Sequence, residues 1–389
     1  MTKIGIELII KPNSGGSYQY WYTILNALSS LDSSKYKVYT IYNDDSWNEV
    51  VNHFNFVRLS YRNKSQNLFS KIVERMLWRF GTDFLQKSYT KITHDYKQIK
   101  REKLDVLFAD SSLGMGNVLG IPTIIPIHDL MHRYEKDIEE LKEGFEYREK
   151  LYRQEVRKAA LILVDSELGK AQLVESYQDV EKNLDRKARV LPFIPPMYIF
   201  ENGEGVKPKT ELPQKYIFYP AQFWSHKNHI RLLEAVKLLK EKNIDIQLVL
   251  VGSEQNNSNT VADSIQKFEL EKNVLILGYV SNDEMVYLYK NARALVMPTL
   301  FGPTNIPPLE AFCLGCPVAT SRIYAIPEQL GDAALLFDPR NVTEIAQCIE
   351  KLWNDDSLCE ELKKKGYKHT DSWGMLQFAN QLAAIISEF

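Results

Sequence analysis

Cysteine is scarce and unevenly placed. Four occur in 389 residues, at positions 313, 316, 348 and 359, and the first 312 positions hold none. That distribution excludes a disulfide framework and makes a reducing cytosol the simplest home. Cys313 and Cys316 form a C-x-x-C, but no second pair or nearby histidine completes a zinc site, so two buried helix cysteines are expected. Long apolar runs are also missing. Stretches such as 4–10 and 246–252 have strand length, far below the ~20 residues of a membrane-spanning helix. The opening Met-Thr-Lys-Ile-Gly-Ile-Glu leads straight into a strand without a signal-peptide layout, so an intracellular location is expected. Excess charge of one sign is absent: 48 Lys plus Arg against 50 Asp plus Glu leave a net charge of -2. A whole-molecule nucleic-acid binder is excluded by that balance. Eighteen glycines and 16 prolines, with 44% hydrophobic and 25% charged residues, exclude disordered and collagenous chains.

The length suggests two or three domains, each able to bury a core. Short apolar runs rich in β-branched residues fall at 4–10, 38–42, 106–109, 123–128, 161–165 and 190–192. A second series falls at 217–219, 247–251, 274–277, 294–297, 317–320 and 334–337. Segments of helical period separate them, for example 18–31, 144–160, 229–242 and 342–353. Continuous apolar strands alternating with helices imply parallel sheets covered on both faces. Two such series predict an α/β chain of two doubly wound, Rossmann-like domains, 1–195 and 213–370. Between them, 196–212 is charged and rich in glycine and proline, which reads as a linker. Ligands of open parallel sheets bind at the carboxyl ends of strands, so the expected site is a central cleft faced by both domains.

One segment breaks the charge balance. From Arg58 to Lys103 there are 12 basic residues against 4 acidic, a local +8 that leaves -10 on the rest of the chain. Leu68, Phe69, Ile72, Val73, Met76, Leu77, Phe80, Phe84 and Leu85 recur there at three-to-four spacing, with Trp78 beside them. A basic amphipathic helix of this kind can lie on an anionic membrane surface. An ordinary helix with a solvated basic face reads equally well.

Three loops carry chemistry. The first strand runs into Lys11-Pro12-Asn13-Ser14-Gly15-Gly16-Ser17, where adjacent glycines let backbone N-H groups approach a ligand closely. The strand at 217–219 runs into Pro220-Ala221-Gln222-Phe223-Trp224-Ser225-His226-Lys227, and a lysine at a strand-to-helix junction is placed to meet a diphosphate. His226 and His229 lack the carboxylate neighbours of a metal site. The strand at 294–297 runs into Pro298-Thr299-Leu300-Phe301-Gly302-Pro303-Thr304-Asn305-Ile306-Pro307-Pro308-Leu309-Glu310, a proline-stiffened loop ending in a first-turn carboxylate. Such a carboxylate can accept two hydroxyl hydrogen bonds, as a ribose diol presents them.

In this order, over nearly the whole chain, these motifs resemble the retaining, GT-B-fold glycosyltransferases of the large family four, which use nucleotide-diphosphate sugars. The resemblance implies that Gly15 and Gly16 approach the donor phosphates and the acceptor side, and that Lys227 pairs the diphosphate. Glu310 would hold the ribose hydroxyls, and His128, in Ile127-His128-Asp129-Leu130, would touch the donor sugar near the reacting carbon. Val280, in the turn Gly278-Tyr279-Val280-Ser281, would line the base pocket. It also implies that the tail 371–389 crosses back to the first domain, and that no resident metal is needed.

Two positions depart from the family pattern. Where a first glutamate is usual, seven residues and one step before Glu310, stands Gly302, so its sugar contact passes to loop amides such as that of Ile306, to Thr304 or Asn305, or to nothing. Where an arginine is usual, five residues before Lys227, stands Gln222. A similar Phe-Gly-Pro-Thr-Asn-x-Pro-Pro-Leu-Glu loop is found in a bacterial subgroup taken to be active. The resulting expectation is transfer of a hexose, with retention, from GDP-mannose or a UDP-sugar. The acceptor would be a saccharide or lipid-linked saccharide in surface polysaccharide assembly (O-antigen, lipopolysaccharide or capsule). The protein would be cytoplasmic, with the option of a peripheral place on the inner membrane face, and would bind no nucleic acid. The alternatives are a catalytically impaired nucleotide-sugar-binding scaffold and a sugar-nucleotide epimerase on the same fold.

Overall fold

The computed structural model describes residues 1–12, 15–63, 76, 88, 94–142, 144–201 and 203–389. The chain forms two compact units, one of residues 1–132, 143–192 and 375–389, the other of 133–142 and 193–374.

The first unit is built on β1 (Thr2–Glu7), β2 (Tyr36–Ile41), β3 (Val57–Leu59), β6 (Val106–Phe108), β7 (Thr123–Pro126), β8 (Leu161–Val164) and β9 (Ala188–Val190), with a separate short pair, β4 (Arg62–Asn63) and β5 (His94–Asp95). The seven strands are parallel, in the order β3-β2-β1-β6-β7-β8-β9. Central strands are apolar along their length because helices cover both faces: β8, Leu-Ile-Leu-Val, is buried at all four positions. The edge strand β3 lacks that signature, with Val57 and Arg58 exposed and only Leu59 buried, and the sequence pattern does not mark it. Helix Met375–Ile386 belongs to this unit: Gln381 Nε2 donates to Val190 O at 2.5 Å, and Arg189 pairs both carboxylate oxygens of Glu388 at 2.8 and 2.6 Å.

The second unit holds β10 (Ile217–Pro220), β11 (Leu248–Val251), β12 (Val274–Ile276), β13 (Ala294–Met297), β14 (Val318–Ser321) and β15 (Ala334–Phe337), parallel and in the order β12-β11-β10-β13-β14-β15. Alternation along β10 splits the core in two. Ile217 and Tyr219 join Leu232, Leu233, Val236 and Leu239 of helix His229–Glu241 on one face, while Phe218 joins Tyr289, Leu309 and Phe312 on the other.

The expectation of two buried helix cysteines holds in full for neither: Cys313 ends the helix but is half-buried. Gly315, at φ +68°, lies beyond the end of helix Pro307–Cys313, and the buried Cys316 sits past it. All four cysteines are free thiols. Among the described residues no helix is long and apolar enough to cross a membrane. Most of the basic amphipathic segment, 64–75, 77–87 and 89–93, lies outside the described residues.

Candidate functional site

In each sheet one strand has neighbours whose connections run in opposite directions, and the carboxyl ends flanking that point form the ligand crevice of doubly wound folds. In the second unit the point falls between β10 and β13. The loops that follow these two strands are those carrying Gln222 with Lys227 and Thr304 with Glu310.

The two loops are stitched together. Asn228, buried and at φ +61°, donates from Nδ2 to Pro298 O at 2.9 Å and to Pro339 O at 2.8 Å. Leu300 N donates to His226 O at 2.8 Å, and the His226 ring stacks on Phe301 with centroids 4.0 Å apart. Behind them, Gly252 lets β11 pass close to the first loop: a Cβ there would lie 2.3 Å from Ala221 O. Lys227 closes the short 3-10 turn Ser225–Lys227, its carbonyl accepting from Tyr219 Oη at 2.9 Å. Gln222 is exposed, and its Oε1 accepts from Trp224 Nε1 at 2.9 Å, so it shapes its own loop and supplies no charge. His229 is not a ligand but packing: it lies between Tyr219 and Phe223, and burial, with Lys227 nearby, holds its pKa down to about 3.

In the second loop Gly302 adopts φ +112°, and a Cβ there would meet the Asn305 amide at 3.1 Å. Asn305 thus fills the space a larger residue would need. Its backbone is clamped by Gln329: Asn305 N donates to Oε1 at 2.9 Å, and Nε2 donates to Asn305 O at 2.7 Å. Asn305 Nδ2 is buried and has no hydrogen-bond partner among the described residues. A buried donor of this kind calls for an acceptor. Thr304 is buried beside it, and Ile306, half-buried, precedes helix Pro307–Cys313.

Glu310 lies in that helix, only 8% exposed. Its Oε1 accepts from Tyr198 Oη at 2.8 Å and its Oε2 from Tyr289 Oη at 2.6 Å. Burial raises its pKa, and the two tyrosine bonds partly offset the rise. Val280 is buried in the turn after β12, where Gly278 takes φ +69° and Ser281 caps the next helix in a reciprocal box with Glu284.

In the first unit the corresponding point lies between β1 and β6. Gly15, at φ +67°, precedes helix Gly16–Ser29, both glycines are exposed, and a Cβ on either would meet nothing within 4 Å. Asn13 and Ser14 lie outside the described residues. His128, just past β7, takes the edge of Tyr20 at 4.6 Å between centroids, and burial holds its imidazole below the ordinary histidine range. His132, four residues on, has a partner of its own. Its Nε2 lies 2.9 Å from Glu149 Oε1, which also accepts from Tyr177 Oη.

Several residues escaped the sequence reading. At the end of β1 Glu7 is buried, and burial first, then the nearby Asp110, pushes its carboxyl up to about 7. Asp110 is itself fixed by Trp21 Nε1 at 2.8 Å. A glutamate within an otherwise apolar strand was the available signal.

Residues 204–369, within the second unit, match the model of the family described as Glycosyl transferases group 1. The chain is 28% identical over 232 residues to O-antigen chain mannosyltransferase B of Escherichia coli, an alignment covering 58% of this chain and 60% of that one. It is 29% identical over 169 residues to the serotype-specific mannosyltransferase WbdA of Escherichia coli, covering 43% of this chain and 21% of the other. The chain thus spans about three fifths of the first relative's length and about a fifth of the second's. Among solved structures, Anabaena Alr3699/HepE in complex with UDP and glucose superposes with a TM-score of 0.71 at 13% identity, over 100% of both chains. That likeness shows the fold, which is of the GT-B type.

Proposed function

We propose that this protein is a retaining glycosyltransferase that moves a hexose from a nucleotide-diphosphate sugar to a saccharide or lipid-linked saccharide acceptor in surface polysaccharide assembly. The observation that carries the reading is the second unit's switch point, where Lys227 and Glu310 stand on two loops stitched through Asn228. The names of the relatives favour mannose, and so GDP-mannose over a UDP-sugar, and they support an acceptor in an O-antigen-like chain. HepE, bound to UDP and glucose on the same fold, supports a nucleotide-sugar donor.

In this reading the donor's ribose hydroxyls donate to Glu310, and its diphosphate meets Lys227 and main-chain N-H groups. The leaving diphosphate carries the charge that develops as the glycosidic bond breaks, so catalysis rests on positioning and on stabilising that group. No carboxylate nucleophile is assigned. The acceptor hydroxyl attacks from the face the diphosphate leaves, and the diphosphate takes its proton. His128, kept neutral by burial, hydrogen-bonds the donor sugar without adding a charge. No metal is given a role.

The test is a donor panel. GDP-mannose, UDP-glucose and dTDP-glucose are each incubated with protein and with saccharide or polyprenyl-linked saccharide acceptors, and nucleotide release and product anomer are followed by NMR. Acceptor-dependent consumption of GDP-mannose with an α-linked product is expected. Conversion of donor without acceptor would instead identify an epimerase, and binding without any turnover a scaffold.

The Asn305 clamp gives a finer expectation. Gln329→Leu removes both bonds to the Asn305 backbone, each worth about 0.5–1.5 kcal/mol. Donor KM should rise about tenfold while the affinity for free nucleoside diphosphate stays within about twofold, because the loop serves the sugar. Equal loss for both would assign Gln329 to the diphosphate instead.

A further inference from the structure

We propose that Tyr198 and Tyr289 form a carboxylate clamp that positions Glu310 to receive the two hydroxyls of a ribose. The inference rests on the donor reading above and adds two positioning residues to it. Tyr198 comes from helix Tyr198–Glu201 and Tyr289 from helix Asn282–Asn291, on separate elements. Each hydroxyl takes one carboxylate oxygen, at 2.8 and 2.6 Å. An ionised carboxylate has about four lone-pair sites, so one remains on each oxygen after the clamp closes. A vicinal diol presents two O-H donors at matching separation, one for each remaining site. A rotamer free to turn would meet only one of them at a time.

Burial gives the clamp its second role. A carboxylate with Glu310's exposure of 8% is held toward its neutral form by desolvation, and hydrogen bonds from both tyrosines pull it back toward the ionised, acceptor form. The tyrosine hydroxyls stay protonated, since burial and the neighbouring carboxylate raise both well above the ordinary range. Two thiols lie near the clamp, Cys313 close enough to feel the Glu310 charge and Cys316 close enough to act on Tyr289. Cys313, on Glu310's own helix, is pushed by burial up to about 11, and Cys316 up to about 12, so neither ionises near neutrality. From the helix packed alongside, His369 lies against Phe312, its pKa lowered by burial, and Asp371 acts on Cys313, while the groups acting on Glu310 itself are the two tyrosines.

The experiment measures GDP and UDP affinity by calorimetry, in full-length wild type, Tyr289→Phe and Tyr198→Phe, from pH 5 to 9, alongside the 2′,3′-dideoxy nucleotides. For the nucleotide the wild type prefers, each variant should bind about tenfold more weakly at pH 7, with the acid limb of the affinity profile moved to higher pH. Wild type and variants should bind its dideoxy form alike. Equal loss on ribose and dideoxy forms, or unchanged affinity and pH profile in both variants, overturns the clamp while leaving the donor reading standing. Wild type that binds the dideoxy form as well as the ribose form, or binds neither nucleotide, overturns the Glu310 assignment itself. Should one variant fail to fold, the other decides, because each hydroxyl serves a different oxygen.

Discussion

Lys227→Ala lowers transfer turnover by about 100-fold or more, roughly 2.7 kcal/mol of lost transition-state stabilisation. The size follows from the proposed role, in which the lysine meets the leaving diphosphate. As the sugar departs, negative charge accumulates on the diphosphate, and Gln222 supplies no cation where a second would be expected. One charge then carries a share that two would divide. The ammonium's ability to counter the developing charge is a transition-state term, so the loss should fall mainly on kcat, with a smaller rise in donor KM. Lys227→Arg keeps the charge in a wider group and should recover part of the rate. The fold should tolerate the change, since Asn228 and the His226 and Lys227 carbonyls hold the loop. Near-normal kcat with an intact melting curve would remove Lys227 from the mechanism.

The second large effect concerns stability. The Glu7 carboxyl is raised from an ordinary 4.5 to about 7, so the folded first unit holds a proton that the unfolded chain releases sooner. The sign follows from linkage. Below about pH 4.5 the side chain is neutral in both states and its contribution is fully present, and as pH rises through 7 that contribution is lost. Two and a half units correspond to about 3 kcal/mol. Glu7→Gln keeps a neutral side chain of the same shape, so parent and variant should match in urea denaturation at pH 4.5, while at pH 8 the variant should be more stable by up to about 3 kcal/mol. Asp110, also raised by burial, leaves a residual slope of the same sign in the variant. Parallel pH curves for the two proteins would sink the assignment of a raised Glu7 carboxyl at the end of β1.

The sequence revealed the scaffold because buried parallel strands have a signature that needs no partner to be read. Ala294–Met297 and Ala334–Phe337 stand where their apolar runs end, and the loops bearing Lys227 and Glu310 follow from that placement. What it concealed is long-range and polar. Tyr198 meets Glu310 across 112 residues and Tyr289 across 21, and nothing local distinguishes either from a core aromatic. Gln329 is 24 residues from the backbone it clamps, and Asn228 looks like any residue before a helix until its carbonyl partners are known. Glu7 was visible as a charge inside an apolar run, but its significance needed Asp110, just past the neighbouring strand β6. The short helix-bound cysteine pair dissolved for a local reason, the left-handed turn at Gly315.

The Asn228 cross-link bears on how such proteins can be re-engineered. One amide spans the loop after β10, the loop after β13 and the segment at Pro339, so these pieces form a single exchangeable cassette. A chimera that imports a relative's Gly302–Glu310 loop alone should inherit a mismatched foundation. One that also imports residues 220–228 and the carbonyl seat at 339 transplants donor preference together with the hinge-pin that holds it in register.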